Sequence, residues 1–440
     1  MIDLDRLDNL VVDLMIRRQG SRASAMQLMR ALFKEEGLKP KQQKRVKALF
    51  HQWLSNEAMV EHAVEVGAPG EVMEALAGPL HLLASRVLSG DLSPKAARAK
   101  VEWIDWEHVA RVPDEVRALK DPIQQLTLIG SITPWLAERM HAVMGDEAQA
   151  CLEALQGKAR VTVRANALRC THEELAERLA QEDIETSPTR YASFGLEITR
   201  PAQLLRTAAF REGWFEMQDE ASQLVAEVVD PPRGGLVIDA CAGAGGKALA
   251  LAAMMGSEGQ VVALDTDAPR LAELRRRARR AGARNIRAIR VRPDSWSTEV
   301  QELAGCADRI LIDAPCTGLG SLRRNPDLRA RITRDEVRRL TKIQGDLLQR
   351  AGATLAPGAR LIYATCSLLP EENQDLVNHA LRQAVDLEPM ELAMALGAAR
   401  AEIFGSVGGP FLQTLPHRHG MDGLFAALFE RQTEDRAVQQ

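Results

Sequence analysis

From Leu236 to about residue 384 the chain repeats one pattern, a short apolar run followed by a turn and then a stretch with helical spacing. The apolar runs are Leu236–Asp239, Val261–Asp265, Ile286–Val291, Arg309–Asp313 and Arg360–Thr365. Continuous apolar runs mark strands buried on both faces, and helices between consecutive strands impose crossovers that are almost always right-handed. The pattern predicts an α/β fold, a doubly wound parallel sheet. With a chain reversal after the third strand, strands one, four and five lie side by side and a ligand sits at their carboxyl ends.

What precedes this region has a different texture. Residues 1 to about 148 repeat apolar positions at helical intervals, as in LDNLVVDLMIRR and VKALFHQWL, with breaks at Gly20, Gly37, Pro69, Gly78, Pro113 and Pro134. An all-α domain of five or more helices is expected there. VTVRANALR (161–169) alternates like a strand, and THEELAERLAQE (171–182) is an amphipathic helix opened by a Thr171/Glu174 capping box. Residues 149–230 are therefore expected to form a small α+β domain. Pro231, Pro232, Gly234 and Gly235 mark its end, the α/β domain occupies 231–432, and 433–440 is a polar tail.

With 46% hydrophobic and 26% charged residues the chain is that of a folded globular protein. No secretory signal opens it, and no apolar stretch reaches the roughly 18 residues of a membrane span, since Asp239 and Lys247 interrupt the greasiest run. Six cysteines without a CxxC pair argue for reduced thiols and a cytoplasmic location rather than zinc or disulfides, and His417 and His419 lack a third ligand, so no metal site is expected. The net charge of −4 hides segregation: Arg270 to Arg292 holds ten arginines and one acid, and Arg323 to Arg339 seven arginines against three acids. Such stretches are solvated faces or contacts to nucleic-acid phosphates.

The turn after the first strand reads D-A-C-A-G-A-G-G-K, Asp239 to Lys247. Nucleoside triphosphate binding fails twice, because Cys241 and Ala248 stand where a Walker A loop needs Gly and Ser or Thr. Gly243, Gly245 and Ala248 fit a dinucleotide fingerprint, with Asp265 placed for a ribose, but S-adenosylmethionine uses the same loop and the same acid. Two cysteines follow neighbouring strands, Cys316 in ILIDAPCTGLG and Cys366 in LIYATCSLLPEEN, and both face the ligand edge. A thiol needs electrostatic help to react at neutral pH. Pro370, Glu371 and Glu372 suit a helix amino end just beyond Cys366, which makes Cys366 the better nucleophile.

These segments resemble the S-adenosylmethionine-dependent RNA 5-methylcytosine methyltransferases of the RsmB/Sun (Fmu) type. The resemblance runs from about residue 160 to 430, through VRANALR, MQDEASQLVA, DACAGAGGK, ALDTDAPRL, DAPCTGLGSLRRNPD, TCSLLPEEN and DGLFAALFER. It departs at Gly243 and Ala244, where the family usually has Ala and Pro, and at Ala248, where it usually has Thr. It implies a Rossmann-like class I catalytic domain behind a NusB-like, RNA-binding helical domain. It also implies a mechanism: Cys366 adds to carbon 6 of cytosine, and Cys316 assists proton removal and product release. Asp313 is expected to hydrogen-bond the cytosine ring nitrogen or amino group, stabilising charge that develops on addition, while also bordering the cofactor. The cofactor S-adenosyl-L-methionine is implied to touch Cys241, Ala242, Gly243, Ala244, Gly245, Gly246, Lys247, Asp265, Asp294 and Asp313. RNA contacts are expected from Arg323, Arg324 and Asn325, which follow the Cys316 loop, and from Arg164 and Asn166. The implied partner is ribosomal small-subunit RNA, with transfer RNA the alternative, and the expected state is a monomer. Two readings from other classes stay open on the residues alone: an NAD-dependent oxidoreductase, which leaves the paired thiols without a role, and a non-catalytic RNA-binding assembly module.

Overall fold

The computed structural model describes residues 2–433, apart from 22, 257, 384–385 and 406–410; most of the expected tail, 434–440, lies outside the described residues. The chain divides into two units, Met1–Lys158 with Leu322–Arg334, and Ala159–Ser321 with the residues from Asp335 onward. No described helix is long and apolar enough to cross a membrane.

The first unit carries ten helices among its described residues before Lys158, from Arg6–Arg18 to Glu147–Gln156. The boundary expected at 148 falls inside the last of them, whose buried face is Ala148, Cys151, Leu152 and Leu155. Gly78 and Pro113, read as breaks, lie within helices Glu74–Leu88 and Trp106–Arg117. Packing overrides local propensity at both. At Gly78 the missing side chain admits Val12, whose Cγ1 would stand 2.9 Å from a Cβ.

The segment Leu322–Arg334 corrects the expectation of one uninterrupted α/β domain over 231–432, because it packs with the helices. Arg329 shows why. It is 2% exposed and donates to Gly130 O at 3.0 Å, Leu155 O at 2.9 Å and Gln156 Oε1 at 3.0 Å. These acceptors end helices Pro122–Gly130 and Glu147–Gln156, so one guanidinium caps two helix carboxyl ends. Burial pulls its pKa down to about 10.

The second unit begins with a four-stranded antiparallel sheet, β1 (Thr162–Ala165), β2 (Thr186–Pro188), β3 (Gly195–Ile198) and β4 (Phe215–Met217), in the order β2-β3-β1-β4. Its helix His172–Ala180 has the expected capping box, with Glu174 N–H on Thr171 Oγ1 at 3.2 Å and Thr171 N–H on Glu174 Oε2 at 2.9 Å. The main sheet follows with β5 (Leu236–Asp239), β6 (Gln260–Asp265), β7 (Ile286–Arg290), β8 (Arg309–Asp313), β9 (Arg360–Thr365), β10 (Leu387–Pro389), β11 (Leu412–Thr414) and β12 (Leu424–Arg431). Strands β7-β6-β5-β8-β9 are parallel, and β8 stands between β5 and β9 as the crossover argument requires. Beyond β9 the sheet turns antiparallel: β12 pairs with β9, and β10 and β11 pair with β12. Both faces are buried, one through Val237, Leu251, Val261 and Leu274, the other through Ile238, Val262, Ile310 and Tyr363.

Candidate active site

Four parallel strands end at one edge and deliver Asp239 (β5), Asp265 (β6), Asp313 (β8) and, just past β9, Cys366. The turn from Cys241 to Lys247 is held from three directions. Gly243 N–H donates to Asp265 Oδ2 at 2.7 Å, Arg277 holds Ala244 O at 2.8 Å, and Arg164 holds Gly246 O at 2.9 Å. Gly243 takes φ 53° and Gly245 φ 88°. A proline at 244 would push residue 243 into extended backbone. Gly243 with Ala244 instead gives this turn a left-handed entry.

The charge at the edge is acidic. Asp239 is 1% exposed, and neither of its oxygens has a well-aligned donor, the Cys241 N–H being only a weak partner. Burial, and then the Asp313 charge, push its pKa up to about 7. Lys247 is buried with its Nζ 2.7 Å from Asp313 Oδ2. Burial alone lowers the Lys247 pKa, but the ion pair with Asp313 outweighs it and leaves it raised. Three carboxylates thus stand about one ammonium, with an orphaned buried acid among them. A pyrophosphate would be repelled, and the Gly243 amide it would need is already given to Asp265. A ligand with an ammonium and a sulfonium fits, because it supplies the positive charge that Asp239 lacks.

Cys316 and Cys366 meet at the same edge, with Sγ···Sγ 3.3 Å, and Cys366 N–H also points at Cys316 Sγ at 3.3 Å. Cys366 is lowered below the ordinary thiol range by the hydrogen bond from Cys316, with help from Lys247. Cys316 is raised, first by that same bond and then by burial. The helix amino end expected beyond Cys366 is instead a single 3-10 turn, Pro370–Glu372, and the α-helix starts only at Gln374. The shared proton, not a helix dipole, sets the thiolate.

Sequence pattern gives Glu372 only the place of an acid in a first helical turn. Its carboxylate is fully buried and accepts from Thr317 N–H (2.9 Å), Thr317 Oγ1 (2.5 Å), Gln344 Nε2 (3.0 Å) and Ser367 Oγ. Its signal was the acid pair directly after the cysteine loop, but nothing in sequence spacing shows that a carboxylate faces inward.

The remaining expected residues are dispersed. Asp294 is exposed and takes a 3.3 Å bond from Ser295 Oγ. Arg164 and Asn166, expected at the RNA, are 5% and 4% exposed. Arg164 is spent on Gln218 and Gly246 O, and Asn166 on Gly213 O and Ala281 O, each at 2.8 Å. Both are architectural, because a buried polar group must find its partners inside the fold. Arg323, Arg324 and Asn325 belong to the helical unit. In helix Ala268–Ala281, Arg277 and Arg280 grip the buried Glu216, whereas Arg270, Arg275, Arg276 and Arg279 are exposed.

A Rossmann-like sheet closed by an antiparallel strand, offering carboxylates at its ligand edge, is the architecture of class I methyltransferases. Residues 226–430 match the family described as 16S rRNA methyltransferase RsmB/F, and residues 133–204 match its ferredoxin-like domain; the chain belongs to the RsmB/F family. It is 32% identical over 301 residues to a probable ribosomal RNA small subunit methyltransferase B of Synechocystis, covering 68% of this chain and 66% of that one. The probable Bacillus subtilis protein of that name is 31% identical over 312 residues, covering 70% and 68%. The match thus spans about two thirds of these relatives. Among solved structures, a methyltransferase homolog protein from Pyrococcus horikoshii is similar, with a TM-score of 0.60 and 27% identity over 71% of this chain and all of that one.

Proposed function

We propose that this chain methylates carbon 5 of cytosine in RNA, with small-subunit ribosomal RNA as substrate and S-adenosylmethionine as donor. The observation that carries the reading is the pair of sulfurs 3.3 Å apart at the edge where Asp239, Asp265 and Asp313 end their strands. The names of the similar proteins supply the RNA. The cofactor, held by the Cys241–Lys247 turn, Asp265 and Asp239, supplies an electrophilic methyl sulfonium; Asp294, exposed in its loop, is its proposed outer contact.

The chain's residues divide the remaining work. Cytosine carbon 5 is a weak nucleophile until a thiolate adds to carbon 6, so the Cys366 thiolate forms that bond and makes carbon 5 enamine-like. Asp313 accepts from the exocyclic amino group, and its partner Lys247 brings positive charge to a ring that gains negative charge on addition. Bond formation neutralises Cys366. That removes the first cause that raises the Cys316 pKa, so Cys316 passes its proton to water more readily and, as thiolate, takes the carbon 5 proton once the methyl is in place. Electrons of that C–H bond re-form the ring double bond and expel the Cys366 thiolate.

A base reaches such a pocket only outside its stack, so locally opened RNA is the substrate. Exposed arginines of helix Ala268–Ala281, together with Arg323, Arg324 and Asn325, are the proposed phosphate contacts. The deciding experiment incubates the protein with unmodified 16S rRNA and labelled cofactor. Cys366→Ala should give neither 5-methylcytosine nor a covalent adduct, and Cys316→Ala should accumulate the adduct on denaturing gels. Normal turnover by Cys316→Ala, or an adduct with Cys366→Ala, would overturn the roles.

A further inference from the structure

We propose that Glu372 is the positioning residue that sets the distance between the two sulfurs, by acting as a single buried acceptor for both cysteine loops. The inference rests on the reading that Cys316 and Cys366 work as a pair, but its test does not require methyl transfer.

A carboxylate offers about four acceptor sites, and here four donors occupy them. Their origin is the informative part. Thr317 is the residue after Cys316, and Ser367 is the residue after Cys366. The Thr317 amide and Gln344 amide share Oε1, while the Thr317 and Ser367 hydroxyls share Oε2. Thr317 Oγ1 and Ser367 Oγ are also 3.2 Å from each other. Gln344, from helix Arg334–Thr354, additionally donates to Pro315 O at 2.9 Å, so it ties the residue before Cys316 to the same centre. The backbone of Glu372 is fixed as well, its carbonyl accepting from Tyr363 OH at 2.7 Å.

An uncompensated buried charge is unfavourable, and no cation contacts this carboxylate among the described residues. A stability role alone would be met by apolar side chains of the same volume. What apolar groups lack is the ability to draw two loops, fifty positions apart, onto one atom pair. The donor pattern also fixes what each substitution does. In Glu372→Gln the amide oxygen takes the place of Oε1 and the NH2 that of Oε2, because the Thr317 and Ser367 hydroxyls accept as readily as they donate. Glu372→Asp keeps the charge but, one methylene shorter, cannot reach both loops. Glu372→Ala removes the anchor.

The test reads sulfur proximity directly in the full chain carrying Cys306→Ser, which removes the exposed thiol. Phenylarsine oxide forms two As–S bonds with a close dithiol, its oxygen leaving as water with the two thiol protons and no change in oxidation state. The parent and Glu372→Gln should capture one equivalent through Cys316 and Cys366, located by mass spectrometry and abolished by Cys316→Ala. Glu372→Asp and Glu372→Ala should bind about 100-fold more weakly, the loss expected when a bivalent contact becomes monovalent. Arsenical affinity in Glu372→Asp equal to that of the parent overturns the proposal, and this holds even if Glu372→Ala fails to fold. Loss in Glu372→Gln equal to that in Glu372→Asp overturns it too. An inactive parent that still shows the expected arsenical pattern would refute the methyltransferase reading and leave this one standing.

Discussion

Cys316 Sγ lies 3.3 Å from Cys366 Sγ although fifty positions separate them in the chain. Two adjacent parallel strands, β8 and β9, end at the same level, and each cysteine follows its strand by one to three residues. At that distance one proton serves both sulfurs. Cys366, which accepts the hydrogen bond from Cys316 and is favoured by the Lys247 charge, is the sulfur lowered, and Cys316 is the one raised.

The shared proton has a measurable pH signature. Removing the donor by Cys316→Ala withdraws the first cause that lowers the Cys366 pKa. The half-maximal pH for alkylation of Cys366 by iodoacetamide should rise by about 1–2 units, the worth of one hydrogen bond to a charged group. Cys316→Ser, which keeps a donor, should shift it less. An unchanged midpoint in Cys316→Ala would place the proton elsewhere.

The parallel core was legible because its strands are buried on both faces and read as continuous apolar runs, and the cysteine pair was legible because strand ends of such a sheet converge. Strand β12 was not, although Leu424 to Phe429 are all buried, because it lies outside the strand–helix alternation and runs antiparallel. The excursion of Leu322–Arg334 was equally hidden. An arginine-rich stretch looks solvated, and no local signal shows that Arg329 turns inward to two helix ends. Arg164 and Asn166 misled for the same reason: polar residues in a strand-like segment gave no sign that the interior holds their partners.

Asp239 predicts opposite effects on stability and on binding. Its folded pKa of about 7 lies above the ordinary value of 3.8, so the fold holds its proton more tightly than the unfolded chain does. That contribution is fully present below about pH 4 and is lost as the pH rises through 7. In the absence of cofactor, Asp239→Asn should therefore melt at a higher temperature than the parent at pH 8, by a smaller margin at pH 5, and at nearly the same temperature below about pH 4. Cationic cofactor prefers the ionised acid, so calorimetry at pH 6 in buffers of different ionisation enthalpy should detect proton release on binding by the parent and not by Asp239→Asn. Equal melting temperatures at pH 8 would contradict the orphaned carboxylate.

The arginine-rich helix should separate into two classes under mutation. Arg270, Arg276 and Arg279 are exposed, and replacing all three with Ser should flatten the plot of log affinity for RNA against log salt by up to about 2, at roughly 0.7 per single-strand phosphate contact. Melting should barely move. Arg277→Ser should do the reverse, since Arg277 holds Glu216 at 2.9 Å and the glycine turn through Ala244 O at 2.8 Å. It should weaken cofactor binding and stability with an unaltered salt slope. A salt slope that falls equally for both variants would show that the buried pair is not structural.

Arg329 extends that division into the stretch from Arg323 to Arg339. Its guanidinium is 2% exposed, and its donors end on two helix carboxyl termini. Arg329→Met fills a similar volume but leaves the Gly130 and Leu155 carbonyls without that donor. Each unsatisfied buried acceptor costs about 1–3 kcal/mol, so the helical unit should lose at least about 2 kcal/mol. Arg329→Lys should recover little, because one ammonium cannot span acceptors that a planar fork reaches together. Hydrogen exchange should report the loss as faster exchange of the amides in helix Glu147–Gln156, while the strands β5, β6, β8 and β9 keep their protection. If Arg329→Met instead leaves that helix protected and lowers RNA affinity in a salt-dependent way, the residue is a phosphate contact and the helix-capping role assigned to it is wrong.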